Sequence, residues 1–413
     1  MLARWLGLLA LAAALLGVVG CGGVAVSDVA EATGGQLTVY SSEPLQGPSA
    51  PIAEQIVGGE KLALSDARGH AGPFKIAYVS LDDASPTTDE WNPGVTATDA
   101  KTAAQDTSTI AYLGDFDSAA TAISLPLINA AGILQVSAGS PYVGLTSPFE
   151  AGQDEPERFY PSGQRTFVRL APGDIGQAQA QVALMKSKGV RSLYVLDDQN
   201  PFDVPLADIV VNYAEAAGIT VIAHDSLSTV AGAVFTGEVE KIAASKAQAV
   251  FLAGGEGKGT AELWSDLYAA DPHLLLLGSK QMLNESFIAQ LGMAAANTYV
   301  TTPVLPARFY PAAAQRVLSD YRRTFGVQAT PYALYGYEAM TLVLDGVRDA
   351  GTRGNDRQTV IDRVFATKDR NSVIGNYSID GDGETTLSRY GIDRISHGSP
   401  VFYRAINIGP PNP

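Results

Sequence analysis

The chain has 413 residues, 46% of them apolar and 17% charged, with a formal net charge of −15. That composition excludes a broadly disordered polypeptide, and the length calls for two cores rather than one. An acidic balance argues against a nucleic-acid partner and against adhesion to anionic lipid by charge.

Arg4 is a minimal positive region, and Trp5 to Val19 is a continuous apolar run. The run is too short for a comfortable membrane span and suits a signal peptide over residues 1–20. It ends in Val18-Val19-Gly20-Cys21, small residues leading into the only cysteine, which resembles the bacterial lipobox. Cys21 is then the lipidated mature N-terminus, and no intrachain disulfide is possible. Cleavage removes Arg4 alone among the charges, taking the net charge from −15 to −16. Residues 21–36 are small and polar without a period and read as a flexible tether.

Leu37–Tyr40 is the first predicted strand, Ala53–Asp66 a helix weakened by Gly58-Gly59, Phe74–Leu81 a strand and Pro93–Asp106 a helix. Ile110 to Pro141 then reads as strand, helix, strand. Ile110–Leu113 is apolar, Gly114–Asp117 is a break, and Ser118 stands at the N-cap position. Ile123, Leu127 and Ala130 continue the helix, Gly132 stops it, and Ile133–Val136 is the next apolar run. Such a βαβ unit presents its ligand face at the strand carboxyl ends, here Gly114–Ser118 and Ser137–Pro141. Free N–H groups and the helix dipole there favour a carboxylate or another anion. From spacing alone, a plain helix cap is the more ordinary role for Ser118.

Tyr142–Gln164 is irregular and long enough to be a functional loop or a crossing between parts. The alternation then restarts, with strands at Thr166–Leu170, Leu193–Leu196, Ile219–Ala223, Ala249–Ala253 and Leu274–Leu277. Helices are marked by Ile175 to Met185, Leu206 to Ala217, Glu238–Lys246 and Thr260–Ala269. Gly132, Gly189 and Gly218 sit where a left-handed helix stop is needed. Strands apolar throughout mean a parallel sheet covered on both faces, so the fold class is α/β with two doubly wound lobes. Asn297–Leu305 is a further strand, followed by helices at Ala312–Phe325, Tyr332–Ala350 and Arg357–Ala366. The tail from Ser372 to Ile408 holds short extended segments around a turn at Asp380–Gly383.

Catalytic and metal chemistry finds little support. His70, His224, His273 and His397 have no ligand spacing, and there is no GxSxG elbow. Gly254-Gly255-Glu256-Gly257-Lys258-Gly259-Thr260 departs from the phosphate loop, since Leu252 holds the first glycine position and Gly259 follows the lysine. It reads better as a permissive strand-to-helix loop. Asp380-Asp382-Glu384 imitates a calcium loop but has Thr385 where the turn glycine belongs, and reads as a hairpin turn. No cofactor or metal is expected.

The lipobox and the segments YLGDFDSAAT, LQVSAGSP, SLYVLDDQNPF, AVFLAGG and LLLLGSK, in this order, resemble a type I periplasmic binding protein. The closest group is the Leu/Ile/Val-binding family of ABC importers, and the likeness runs from Leu37 to Ile408. It implies two lobes joined by three crossing strands, lobe one being 37–168 with 304–373 and lobe two 169–303 with 374–413. It implies hinge closure on a ligand, an extracytoplasmic location on the cell membrane (periplasmic or outer face), a permease partner, a monomer and no enzymatic activity.

Carried over residue by residue, Ser118 matches the serine that holds the ligand carboxylate, with the helix N-terminus at Ala119–Thr121. Gly139 and Ser140 match a contacting loop, and Phe202 an aromatic cover from lobe two. Pro141 replaces a frequent threonine, and Gly257 a frequent tyrosine. Lys280 falls near the family's ammonium-binding glutamate. A lysine repels an ammonium and attracts an anion, so the expected ligand is a carboxylate with a neutral or anionic far end. A ligand-sensing module of a signalling system and an exported α/β enzyme are the competing classes.

Overall fold

The computed structural model describes residues 31–85, 90–255, 257 and 259–410. Cys21 and the signal segment lie outside them. The first sheet is built from β1 (Leu37–Glu43), β2 (Phe74–Asp82), β3 (Thr109–Gly114), β4 (Leu134–Ser137) and β5 (Phe167–Arg169). Its order is β2-β1-β3-β4-β5, all parallel, with the two-residue strand His70–Ala71 antiparallel at the outer edge. Apolar runs make these strands central: Val39, Ile110, Leu113, Leu134 and Val136 are fully buried between helical layers.

The helices on this sheet are α1 (Ala50–Asp66), α2 (Pro93–Gln105) and α3 (Ser118–Ala130). The second sheet receives α4 (Asp174–Ser187), α5 (Val204–Ala216), α6 (Thr236–Ser245), α7 (Thr260–Ala270) and α8 (Glu285–Gln290). Its strands are β6 (Ser192–Asp197), β7 (Thr220–Ser226), β8 (Ala249–Ala253), β9 (Leu275–Gly278), β10 (Thr298–Thr302), β11 (Arg389–Ser396) and β12 (Ser399–Asn407). The order is β7-β6-β8-β9-β10-β11-β12, and the last two strands run antiparallel to the parallel body. That antiparallel edge departs from the wholly parallel reading. The turn between its strands, His397-Gly398 with φ of 51° and 71°, lies in a stretch read only as short extended segments.

Three late helices return to the first sheet: α9 (Ala312–Phe325), α10 (Tyr332–Asp349) and α11 (Arg357–Phe365). The glycine pair that weakens the α1 prediction has a packing reason. A Cβ on Gly59 would stand 2.1 Å from the Ala333 carbonyl oxygen, and one on Gly336 would stand 2.0 Å from that of Ile56. Only glycine lets α1 and α10 touch backbone to backbone. Gly132, Gly189 and Gly218 adopt the positive φ expected of helix stops.

Two further readings are corrected. Residues 31–33 are tied down, since Ala32 N–H reaches Asn355 O at 2.7 Å and Thr33 N–H reaches Thr107 O at 2.8 Å. A stretch without a side-chain period can still be held by its backbone, so the tether cannot extend to residue 36. The chain passes between the sheets after β5, after β10, and between Ile379 and β11. The third passage comes later than the 373/374 boundary, because the hairpin Arg370–Ser372 with Gly375–Tyr377 buries Val373, Ile374, Tyr377 and Ile379 in the first core. The irregular 142–160 segment packs Tyr142, Leu145, Phe159 and Tyr160 with residues of the second sheet and its helices. Among the described residues no helix is long and apolar enough to cross a membrane.

Candidate functional site

The second lobe reaches the first, through Lys280, at the loop that leads from β3 into α3 and at Gly139. The N-cap of α3 is Asp117, one residue before the expected Ser118: its Oδ1 accepts the Ala119 N–H at 2.8 Å. Both residue types cap well, so sequence alone does not fix which is used. Part of the anion-binding capacity of the helix start is therefore taken up internally by a carboxylate. Burial raises the Asp117 pKa, against the pull of the Ala119 N–H and of Lys280. Ser118 is the first helical residue, and its Oγ accepts the Tyr142 N–H at 3.2 Å.

Thr121 and Ser140 are fully buried, their hydroxyl oxygens 2.5 Å apart. Thr121 Oγ1 lies 3.0 Å from Asp117 O, and Ser140 Oγ lies 2.9 Å from Asp115 O. Ser137 Oγ accepts the N–H groups of Gly139 and Ser140 at 3.1 and 3.0 Å. These hydroxyls are engaged in hydrogen bonds within the loop itself. Gly139 is required by close packing, since a Cβ there would stand 2.5 Å from the Phe116 ring.

From the second lobe, Lys280 opens a short 3-10 turn, Lys280–Met282, after β9. Its Nζ donates to Gly139 O at 3.1 Å and stands 4.6 Å over the Phe116 ring. Its charge also acts on Asp117 and Asp174. The lysine expected to attract an anion thus already faces a carbonyl, an aromatic face and two carboxyls. Phe202 is half-buried and meets Tyr142 edge-on at 5.0 Å. Ser118, Ala119, Gly139, Phe202 and Lys280 therefore converge, Phe202 through Tyr142. Gly257 is not brought to them by any described contact: a Cβ there would stand 2.2 Å from Thr229 O, within the second lobe.

Two groups escaped the sequence reading. Arg169, at the end of β5, is 1% exposed. Its Nη1 donates to Ser140 O and Tyr142 O at 2.7 and 2.9 Å, its Nη2 to Thr146 Oγ1 at 2.7 Å, and its Nε to Glu384 at 3.0 Å. One guanidinium thereby joins the ligand-side loop to the third passage between lobes. The Asp174 carboxyl beside it is pushed up to about 7 by burial, against the opposing charge of Arg169. The second group is acidic. Glu43 ends β1, Asp83 follows β2 and Asp115 follows β3. Burial first, then neighbouring carboxylates, push Glu43 well above its ordinary range and Asp83 to about 8. Burial pushes Asp115 to about 7 despite its hydrogen bonds to Ser124 and Tyr112.

A family model described as periplasmic binding protein matches residues 39–395. Among solved structures, a leucine binding protein from Thermotoga maritima is 18% identical, with a TM-score of 0.72 over 90% of this chain and 99% of that one. A branched-chain amino acid transporter substrate binding protein from Streptococcus pneumoniae, in complex with isoleucine, is 18% identical, with a TM-score of 0.69 over 91% and 100%. An ABC transporter solute binding protein from R. palustris, in complex with benzoate, is 16% identical, with a TM-score of 0.68 over 91% and 97%. At these identities the likeness is one of fold. No curated protein sequence matches the chain.

Proposed function

The chain belongs to the periplasmic binding protein family, and on that premise we propose that it is an extracytoplasmic solute-binding protein serving an ABC importer. Cys21 would anchor it by lipid on the membrane face, and it would act as a monomer that delivers one small solute to a permease. The solute is amino-acid-like or carboxylated and is captured between the lobes by hinge closure. Lobe one is taken as 37–168 with 304–373, extended through the hairpin to 379, and the remainder from 169 onward as lobe two.

The observation that carries this reading is the meeting of Lys280 and Phe202 with the loops at Ser118 and Gly139, across the strand ends of both sheets. Clefts between α/β lobes at such strand ends are where small molecules bind. The complexes of the structural neighbours with isoleucine and with benzoate support a small carboxylated ligand. A Ser–His–Asp grouping in the second lobe lends no support to an enzyme. Ser226 donates to Asp197 at 2.7 Å, and both His224 ring nitrogens face carboxylates, so no base faces the hydroxyl.

The test is a thermal-shift screen of the mature chain against amino acids, carboxylates, amines and neutral amides. A true ligand at a hundred times its Kd is expected to add about 2.7 kcal/mol to stability. Stabilisation by no class of solute would contradict the proposal.

A further inference from the structure

The carboxyl ends of β1 and β2 leave charge-bearing groups that the protein does not pair. Glu43 is in register with Asp82 on the neighbouring strand, and the next residue, Asp83, donates its N–H to Glu43 O at 3.3 Å and acts on the Glu43 carboxyl by its charge. Glu43 and Asp83 are both 0% exposed. Among the described residues none of their four carboxyl oxygens has a partner in good hydrogen-bond geometry, the Phe116 N–H being the one donor that acts on Glu43. A buried polar group in that condition is destabilising, and such groups are rare in folded proteins. Asp115 beside them is different, because the Tyr112 hydroxyl reaches it at 3.0 Å and Ser124 also donates to it.

The charged groups that act most strongly on Glu43 are Glu60, Asp83 and Asp115, and on Asp83 they are Asp115, Asp99, Asp117 and Asp82. All are carboxyls. The location is the ligand edge: the Phe116 N–H faces Glu43, and the Phe116 ring carries Lys280 from the opposite lobe. Lys280 itself is engaged at Gly139 O at 3.1 Å.

We propose that Glu43 and Asp83 form a subsite for an organic cation, the ammonium or guanidinium end of the captured solute. The proposal rests on the reading of the chain as a solute-binding protein and names the class of solute. It reverses the expectation, drawn from Lys280, of a ligand without an ammonium. Among the described residues no three His, Cys, Asp or Glu side chains are grouped to hold a metal ion. Ammonium and guanidinium groups carry several N–H donors pointing in different directions, which suits oxygens borne by two neighbouring strands. Charge-assisted hydrogen bonds to them would satisfy the four orphaned oxygens, and lobe closure would bury the pair.

The experiment is isothermal titration of the mature protein, at fixed pH and ionic strength, with arginine, agmatine and putrescine, and in parallel with leucine, benzoate and propionamide. At least one cationic probe is expected to bind. Its Kd should weaken about tenfold or more in Glu43→Gln and in Asp83→Asn, since each removes a charge-assisted contact. Both variants should melt at or above the wild-type temperature, because an amide is easier to bury than an unpaired carboxylate. Binding of benzoate or propionamide without any cationic probe would overturn the subsite and leave the solute-binding reading standing. An unchanged Kd in both variants, or a calcium titration showing the same variant-sensitive heat, would overturn it as well. Heat from no probe at all would overturn both readings together.

Discussion

Replacing Arg169 with methionine is expected to destabilise the protein by about 3–5 kcal/mol, the usual consequence of removing one member of a buried ion pair. The guanidinium and its partner Glu384 are 1% and 8% exposed. Without Arg169, the Glu384 carboxylate keeps a Thr146 hydroxyl at 2.6 Å but loses its counter-charge in a largely buried site. The carbonyls of Ser140 and Tyr142 lose their donor at the same time. Glu384→Gln should cost less, because the amide oxygen still accepts from Arg169, whose charge keeps the Ser140 and Tyr142 carbonyls and the Asp174 carboxyl beside it. Urea unfolding curves of the two variants decide the matter, and a loss below about 1 kcal/mol for Arg169→Met would show that the hub is dispensable. Because this residue holds the 140–142 loop against the third passage, the same variant should also bind solute more weakly.

Stability should fall as pH rises from about 5 to 8, the reverse of what ion-paired carboxylates give. Asp83 is pushed up to about 8, Asp115, Glu60 and Asp174 to about 7, and Asp99 and Asp393 to about 6, each chiefly by burial. Their folded pKa values lie above those of the unfolded chain. The folded state therefore holds more protons across this window, and stability present below the unfolded values is lost as pH passes the folded ones. His224, raised first by its bond to Asp197, acts in the same direction. Asp106, Asp197, Asp225 and Asp356 are lowered, so they withdraw stability only on acidification below the ordinary carboxylate range. Since each pKa unit corresponds to about 1.4 kcal/mol per group, the combined slope should be plain in melting temperatures taken across the range. Asp83→Asn should flatten it. A melting temperature that is level or rising between pH 5 and 8 would contradict the buried acidic group.

The order of strands and helices was legible because it rests on local signals. Apolar runs such as Ile110–Leu113 have only one way to be buried twice, and Gly132, Gly189 and Gly218 stop helices by a backbone conformation that other residues resist. The fold class followed from those signals, and the family likeness agreed with it. The site was legible only in outline. Ser118 and Asp117 are neighbours of equal capping ability, so the sequence could not say that the carboxylate would take the Ala119 N–H. Lys280 was visible as a misfit, but the Gly139 carbonyl, the Phe116 ring and the Asp117 carboxyl that offset its charge come from the opposite lobe.

Glu43, Asp83 and Asp115 are spaced 40 and 32 residues apart in the sequence, and only the parallel register of three strands gathers them. The sequence does carry one further signal. Arg169 is a charge inside the otherwise apolar run Phe167–Leu170, and a buried arginine demands a buried acid. Glu384, read as part of a turn, is that acid.

Solution scattering with and without a stabilising solute tests the central claim, that the lobes close on a small molecule, most directly. The account predicts a smaller radius of gyration in the liganded protein than in the free one. Identical profiles in the presence of a solute that demonstrably binds would contradict capture by hinge closure.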